Sequence, residues 1–146
     1  MIFGTGDDAG LRQFTAKTLA GNNVHIIPPE LFSAQQLAGL DFYWNAQLET
    51  PNPSSMLQVM AQGIPVVSVL GEETEEVVLP LQTALATNFG SRDEFARWTK
   101  FLIEQADARQ QIAKQAKQFV EKKFPISTAV SAYQDLYSRL ALAGTA

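Results

Sequence analysis

Two kinds of apolar spacing divide the chain. Up to residue 90, short β-branched or aromatic runs alternate with helical spacings; from Ser91 onward only helical spacing remains. Ile2–Phe3 runs into Gly4–Thr5–Gly6, which predicts a strand feeding a tight turn. Leu11, Phe14, Ala16, Leu19 and Ala20 mark one face of a helix, stopped at Gly21–Asn22–Asn23. Val24–His25–Ile26–Ile27 reads as a short strand ended by Pro28–Pro29, and Ser33 as the cap of a short helix through Leu37. Asp41–Phe42–Tyr43–Trp44 reads as a further strand. Ser54 or Ser55 is expected to cap a helix through Ala61, with Gly63 as its C′ residue. Pro65 to Val69, apolar apart from Ser68, reads as a buried strand of the kind found in parallel sheets.

Beyond Ser91 the period is 3.6. Ser91 with Glu94 three residues on predicts a capping box. Phe95, Trp98 and Leu102 then share a face, as do Ala108, Ile112, Ala116 and Phe119, and again Val130, Tyr133, Tyr137 and Leu140. Strands interleaved with helices, followed by closing helices over 91–142, predict a Rossmann-like α/β domain built on a parallel sheet. Neither an internal repeat nor a low-complexity linker interrupts it.

Composition narrows the class. A chain of 146 residues, 46% hydrophobic and 18% charged, can bury one sizeable core. No apolar run approaches the ~20 residues that span a bilayer, and no signal-peptide pattern opens the chain. With no cysteine and one histidine, disulfides, thiolate chemistry and a cysteine-bound metal are excluded. The net charge of −4 is uneven: residues 1–90 hold two cations, Arg12 and Lys17, against nine acids, while residues 91–146 hold nine cations against six. Overall acidity without a basic-aromatic patch argues against nucleic acid.

Several features tempt a sharper reading. Gly4–Thr5–Gly6–Asp7–Asp8–Ala9–Gly10 places its third glycine one position late for a dinucleotide fingerprint, so a structural turn is preferred. His25, within an apolar strand, is read as a structural histidine. Glu72 to Glu76 is read as a solvated loop entering a helix rather than a metal site. Phe42, Tyr43 and Trp44 are read as core rather than as a stacking platform. The Arg109–Lys123 cations are read as a solvated helix face; contact with an anionic membrane surface is the alternative.

The segment "MLQVMAQGIPVVSVLGEETEEVV" resembles the C-terminal, donor-binding domain of the retaining GT-B glycosyltransferases. Their pattern there is E-G-F-G-x-P-x-x-E-A-M-A-x-G-x-P-V-V, followed by G-G-x-x-E-x-V. Met60–Ala61, Gly63, Pro65–Val66–Val67, Gly71 and Glu76–Val77–Val78 fall in register. The flanks agree: "GNNVHIIPP" and "AGLDFYWNAQLET" resemble the family's preceding strands, and residues 91–124 its closing helices. The resemblance implies a Rossmann-like sheet lacking its first strand–helix unit, and a UDP-linked nucleotide sugar as donor with no metal. It also implies a partner N-terminal acceptor domain, transfer of the sugar to a glycan or glycoprotein, and a cytoplasmic, membrane-peripheral setting.

Carried over position by position, the family's two glutamates fall on Thr50 and Gln58, the positions assigned to catalysis, with Glu49 one residue off the first. Its glycine turn becomes Pro51–Asn52–Pro53, which removes two N–H donors where a phosphate cradle needs them. Asn52, Ser54, Ser55, Gln58 and Glu76 are the expected donor-binding residues. Gln58 can hydrogen-bond ribose hydroxyls without the charge-assisted strength of a carboxylate. The family's phosphate-binding arginine and lysine have no counterpart, and Arg12 and Lys17 fall within a helix, placed for solvent. Glu72, Glu73, Glu75 and Glu76 would repel a dianion. Two functions therefore stay open: a glycosyltransferase donor domain, or a non-catalytic GT-B-like interaction module, such as an accessory component of a bacterial glycoprotein secretion or glycosylation system.

Overall fold

The computed structural model describes residues 2–3, 9–18, 23–27, 34–46 and 53–143. They fall into two compact units, Met1–Gly39 and Leu40–Ala146. In the first, β1 (Ile2–Phe3) and β2 (Ile26–Ile27) pair in parallel, Ile2 opposite Ile26, with α1 (Ala9–Lys17) as the connection. Helix α2 (Ala34–Leu37) ends the unit. The apolar stripe expected on α1 is not buried: Phe14 is 65% exposed and no residue of the helix is in a core. His25 is exposed and acts through its backbone, its carbonyl accepting the Ile2 N–H at 2.7 Å. Leu19, Ala20, Gly4–Thr5–Gly6, Pro28–Pro29 and the Ser33 cap lie outside the described residues.

The second unit is a parallel three-stranded sheet in the order β3–β4–β5, formed by Tyr43–Asn45, Val66–Val69 and Leu85–Thr87. β4 is central and buried along its whole length, Ser68 included, as a strand in the middle of a parallel sheet is. Between β3 and β4 runs α3 (Pro53–Ala61), and α4 (Arg92–Glu104), α5 (Ala106–Lys123) and α6 (Ile126–Ala143) close the chain. Among the described residues the strands form two parallel sheets, one in each unit.

Helices α3, α4 and α5 together bury the sheet. Val67 and Leu85 cluster with Leu102 of α4 and Ile112 of α5, with Phe42, Phe95, Trp98 and Phe101 packed against them. Trp98 Nε1 donates to the Ala86 carbonyl at 2.8 Å, pinning α4 to β5. Met56, Val59 and Met60 of α3 are fully buried, and α3 packs along α5.

Helix α3 begins at Pro53, so Ser54 and Ser55 stand inside its first turn rather than capping it. Proline is favoured there because its fixed φ suits a helix and its missing N–H would have had no intrahelical partner. The C-terminus follows the sequence closely. Gly63 has φ +73°, its N–H donates to the Met60 carbonyl at 2.9 Å, and the Ile64 N–H donates to Val59 at 3.3 Å. That pair of bonds is a Schellman motif, which needs a left-handed residue at C′.

Three further expectations change, and one strand is new. Ser91 does precede α4 but makes no side-chain cap bond. Glu94 instead accepts the Asn88 N–H at 2.6 Å and Asn88 Nδ2 at 3.0 Å, so the carboxylate closes the preceding turn. Trp44 is 50% exposed rather than core, its Nε1 donating to Thr99 Oγ1 at 3.0 Å. Strand β5 carries no β-branched run and exists because Leu85–Thr87 pairs with Val67–Val69. On α6 the apolar stripe has the expected period, yet Ile126, Val130, Tyr133, Tyr137 and Leu140 are all exposed.

Candidate functional site

Parallel neighbours send their loops out of the same sheet edge, where open α/β sheets hold ligands. The segment after β3 leads to the start of α3; the one after β4 forms the turns of residues 72–77, which carry Glu76. These two carboxyl-end connections make up the described part of the site.

Helix α3 presents the positive end of its dipole here. Tyr43, on the α3 side of β3, fixes that end: its hydroxyl donates to Ser55 Oγ at 3.4 Å. Ser55 is thus half-buried and turned toward the sheet, whereas Ser54 is exposed. Gln58, four residues on from Ser54, shares its exposed face, opposite the buried stripe of Met56, Val59 and Met60. Of the expected site residues, Ser54 and Gln58 therefore share one face and Ser55 faces another. Thr50 and Asn52, with Glu49 and Pro51, lie outside the described residues.

Glu76 is exposed on the turn after β4, and the geometry there comes from two threonines. The Thr74 hydroxyl is fully buried, donates to the Val69 carbonyl at 3.1 Å and accepts the Gly71 N–H at 3.0 Å. Thr83 Oγ1 donates to the Val77 carbonyl and accepts the Leu79 N–H at 2.8 Å. These bonds fold a run of four glutamates back on itself.

A cation meets that run from the other side. Lys123, at the end of α5, donates from Nζ to the Glu76 carbonyl at 3.1 Å while lying 5.4 Å over the rings of Phe119 and Phe124. Sequence reasoning placed Lys123 on a solvated helix face, as it did Arg109, whose Nη1 donates to the Leu102 carbonyl at 2.9 Å. Phe119 and Phe124, bracketing Lys123, were the available signal. Arg12 and Lys17 stand exposed on α1, as expected. Among the described residues, no group of three or more His, Asp or Glu side chains could hold a metal ion. No helix among them is long and apolar enough to cross a membrane.

Sequence reasoning also missed polar groups beneath the site. Asn45, Ser68 and Thr87, one from each strand of the sheet, are buried. Within strands such residues look like ordinary solvent-facing positions, and only the register Asn45–Ser68 brings two of them together.

This is the fold of a GT-B C-terminal domain: parallel strands, crossover helices and a helix N-terminus at the carboxyl edge. Solved structures match it over nearly the whole chain. HepE from Anabaena in complex with UDP-glucose superposes with a TM-score of 0.80 at 21% identity, over 89% of this chain and 36% of that one. HepE with UDP gives 0.78 at 21% identity, over the same 89% and 36%. Sucrose-phosphate synthase from Thermosynechococcus elongatus gives 0.82 at 16% identity, over 97% of this chain and 38% of that one. The chain thus spans little more than a third of the length of these proteins. No family model and no curated protein matches the sequence.

Proposed function

We propose that this chain is the donor-binding domain of a longer glycosyltransferase that moves a sugar from a UDP-linked nucleotide sugar to a glycan or glycoprotein acceptor. The supporting observation is the start of α3, held to β3 by the Tyr43–Ser55 bond at the carboxyl edge of the sheet. A helix N-terminus in that place suits a diphosphate. In this reading Ser54 and Ser55 serve the phosphates, and Gln58 and Glu76 the ribose, with Thr50 and Asn52 completing the donor side. An N-terminal acceptor domain supplies the opposite wall. Catalysis then rests on positioning and on stabilising the departing diphosphate.

A second reading has its own support. Position 58 carries an amide where the family has a carboxylate, and prolines stand at 51 and 53. A non-catalytic GT-B-like accessory module would keep the scaffold without the pair of acids.

Release of UDP separates the two. The longer protein is incubated with UDP-sugars and a glycan acceptor. UDP release that falls at least tenfold in Gln58→Ala is the result expected of the enzyme; nucleotide-sugar binding with no release is that of the accessory module.

A further inference from the structure

One buried polar atom at the carboxyl edge of the sheet is left without a partner, and its surroundings say what it wants. Asn45 ends β3 and is 1% exposed. Its Nδ2 donates to Ser68 Oγ at 3.2 Å, and the Ser68 hydroxyl donates in turn to the Val69 carbonyl at 3.0 Å. Thr87 Oγ1 donates to the Ser68 carbonyl at 3.3 Å. Since Ser68 has one proton and directs it to Val69, it can only accept from Asn45, which fixes the orientation of the amide. Asn45 Oδ1 is therefore left as an acceptor that the network does not use. Among the described residues it is the buried side-chain atom with no hydrogen bond.

Such an atom costs about 1–3 kcal/mol of desolvation. An apolar residue of similar size would avoid that cost, so the amide calls for a donor from outside the network. Its position narrows the source. Side chains two apart on a strand share a face, so Asn45 lies on the same side of β3 as Tyr43, whose hydroxyl bonds to Ser55 of α3. Asn45 is one step further toward the carboxyl edge, where α3 begins. The helix end favours an anion, but a carbonyl oxygen repels phosphate oxygens and requires a hydrogen-bond donor. In a nucleoside diphosphate sugar, the donors flanking the diphosphate are hydroxyls of the ribose and of the sugar.

We infer that Asn45 is a ligand-binding residue whose Oδ1 accepts a hydrogen bond from a ribose or sugar hydroxyl of the bound nucleotide sugar. This rests on the donor-binding reading above and extends it to a residue beneath the start of α3. The Asn45–Ser68–Val69 relay would then hold the acceptor at a fixed place, discriminating between ligands by the position of one hydroxyl.

The test is to titrate the protein and its Asn45→Leu and Asn45→Thr variants with UDP and UDP-glucose, recording melting temperatures alongside. Asn45→Leu removes the orphaned acceptor, while Ser68 keeps its own bond to Val69. The inference predicts an unchanged or higher melting temperature with affinity weakened roughly fivefold to tenfold. Loss with both ligands assigns a ribose hydroxyl; loss with UDP-glucose alone assigns a sugar hydroxyl. Asn45→Thr keeps a hydroxyl acceptor on a strand-favouring residue and should lie between, and it carries the same comparison should the leucine variant not fold. Monodeoxy analogues give a ligand-side check: one should bind the natural protein more weakly, yet Asn45→Leu no more weakly than the parent ligand. Equal affinity in the natural protein and both variants overturns the inference and leaves the donor-binding reading standing. Failure of the natural protein to bind either ligand overturns both.

Discussion

The Tyr43 hydroxyl and Ser55 Oγ lie 3.4 Å apart, which ties the middle layer of the sheet to the first turn of α3. The bond is long and sets a helix end rather than filling a core. Tyr43→Phe keeps the ring and removes the tie, so it should cost no more than about 1 kcal/mol, a fall in Tm of about 2–4 °C. Its signature is local. Backbone amides of the first turn of α3 should exchange faster, while those of β4 stay protected. Tyr133→Phe, on the exposed stripe of α6, should change neither.

Two residues with nearly the same backbone angle should respond oppositely to substitution. Gly63 sits at φ +73° and Leu81 at φ +62°. A Cβ at Gly63 would meet nothing closer than Lys117 Cδ at 3.8 Å, so space is not the obstacle. Gly63→Ala should still destabilise by about 1–2 kcal/mol, because a left-handed alanine is strained. Leu81 already bears that strain and is 60% exposed. Leu81→Asn should therefore raise the melting temperature, asparagine tolerating the left-handed region better. Differential scanning calorimetry reads both signs.

Lys123 holds the Glu72–Glu76 run through one hydrogen bond to the Glu76 carbonyl, and is itself seated against the rings of Phe119 and Phe124. At an exposed site each ring contact is worth about 0.5–1 kcal/mol. Lys123→Met retains the aliphatic stem and discards the charge. Amide protection across residues 72–77 should fall severalfold, with global stability reduced by about 1 kcal/mol or less. Lys123→Arg should restore most of it. Unchanged exchange in Lys123→Met would show that the two threonines alone hold the loop.

Leu102 and Leu140 have the same side chain and were placed on equivalent helical stripes by their spacing. Leu102 is fully buried against Val67 and Leu85, whereas Leu140 is 58% exposed. Leu102→Ala should cost about 2–5 kcal/mol through lost transfer energy and a cavity. Leu140→Ala in this chain should stay within about 0.5 kcal/mol. Chemical denaturation of the two variants gives the comparison directly.

That contrast shows what the sequence could and could not convey. Period alone located α4, α5 and α6, but it cannot say whether a stripe meets a partner, since burial depends on the rest of the fold. Val66–Val69 was legible because four apolar residues follow the Gly63 stop. Leu85–Thr87 was not, because its strand character comes from pairing with a residue run nearly twenty positions away. Ser91 and Glu94 formed a sound capping box on paper, but Asn88, three residues before the cap, competes for the carboxylate with two donors. At the site, a helix start near Ser54 or Ser55 was readable, one or two residues late of its true beginning at Pro53. Asn45 and Ser68 were not, because nothing local distinguishes a polar strand residue that faces water from one that faces a neighbour in register.

The central claim is that the carboxyl edge of β3 and β4, with the start of α3, holds a nucleotide sugar. Calorimetric titration of the protein with UDP-glucose, carried to millimolar ligand, tests it most directly. Saturable one-to-one binding, weakened severalfold or more by Gln58→Ala with the melting temperature unchanged, is the predicted result. A flat titration at millimolar ligand would contradict the account and leave a GT-B scaffold without its ligand.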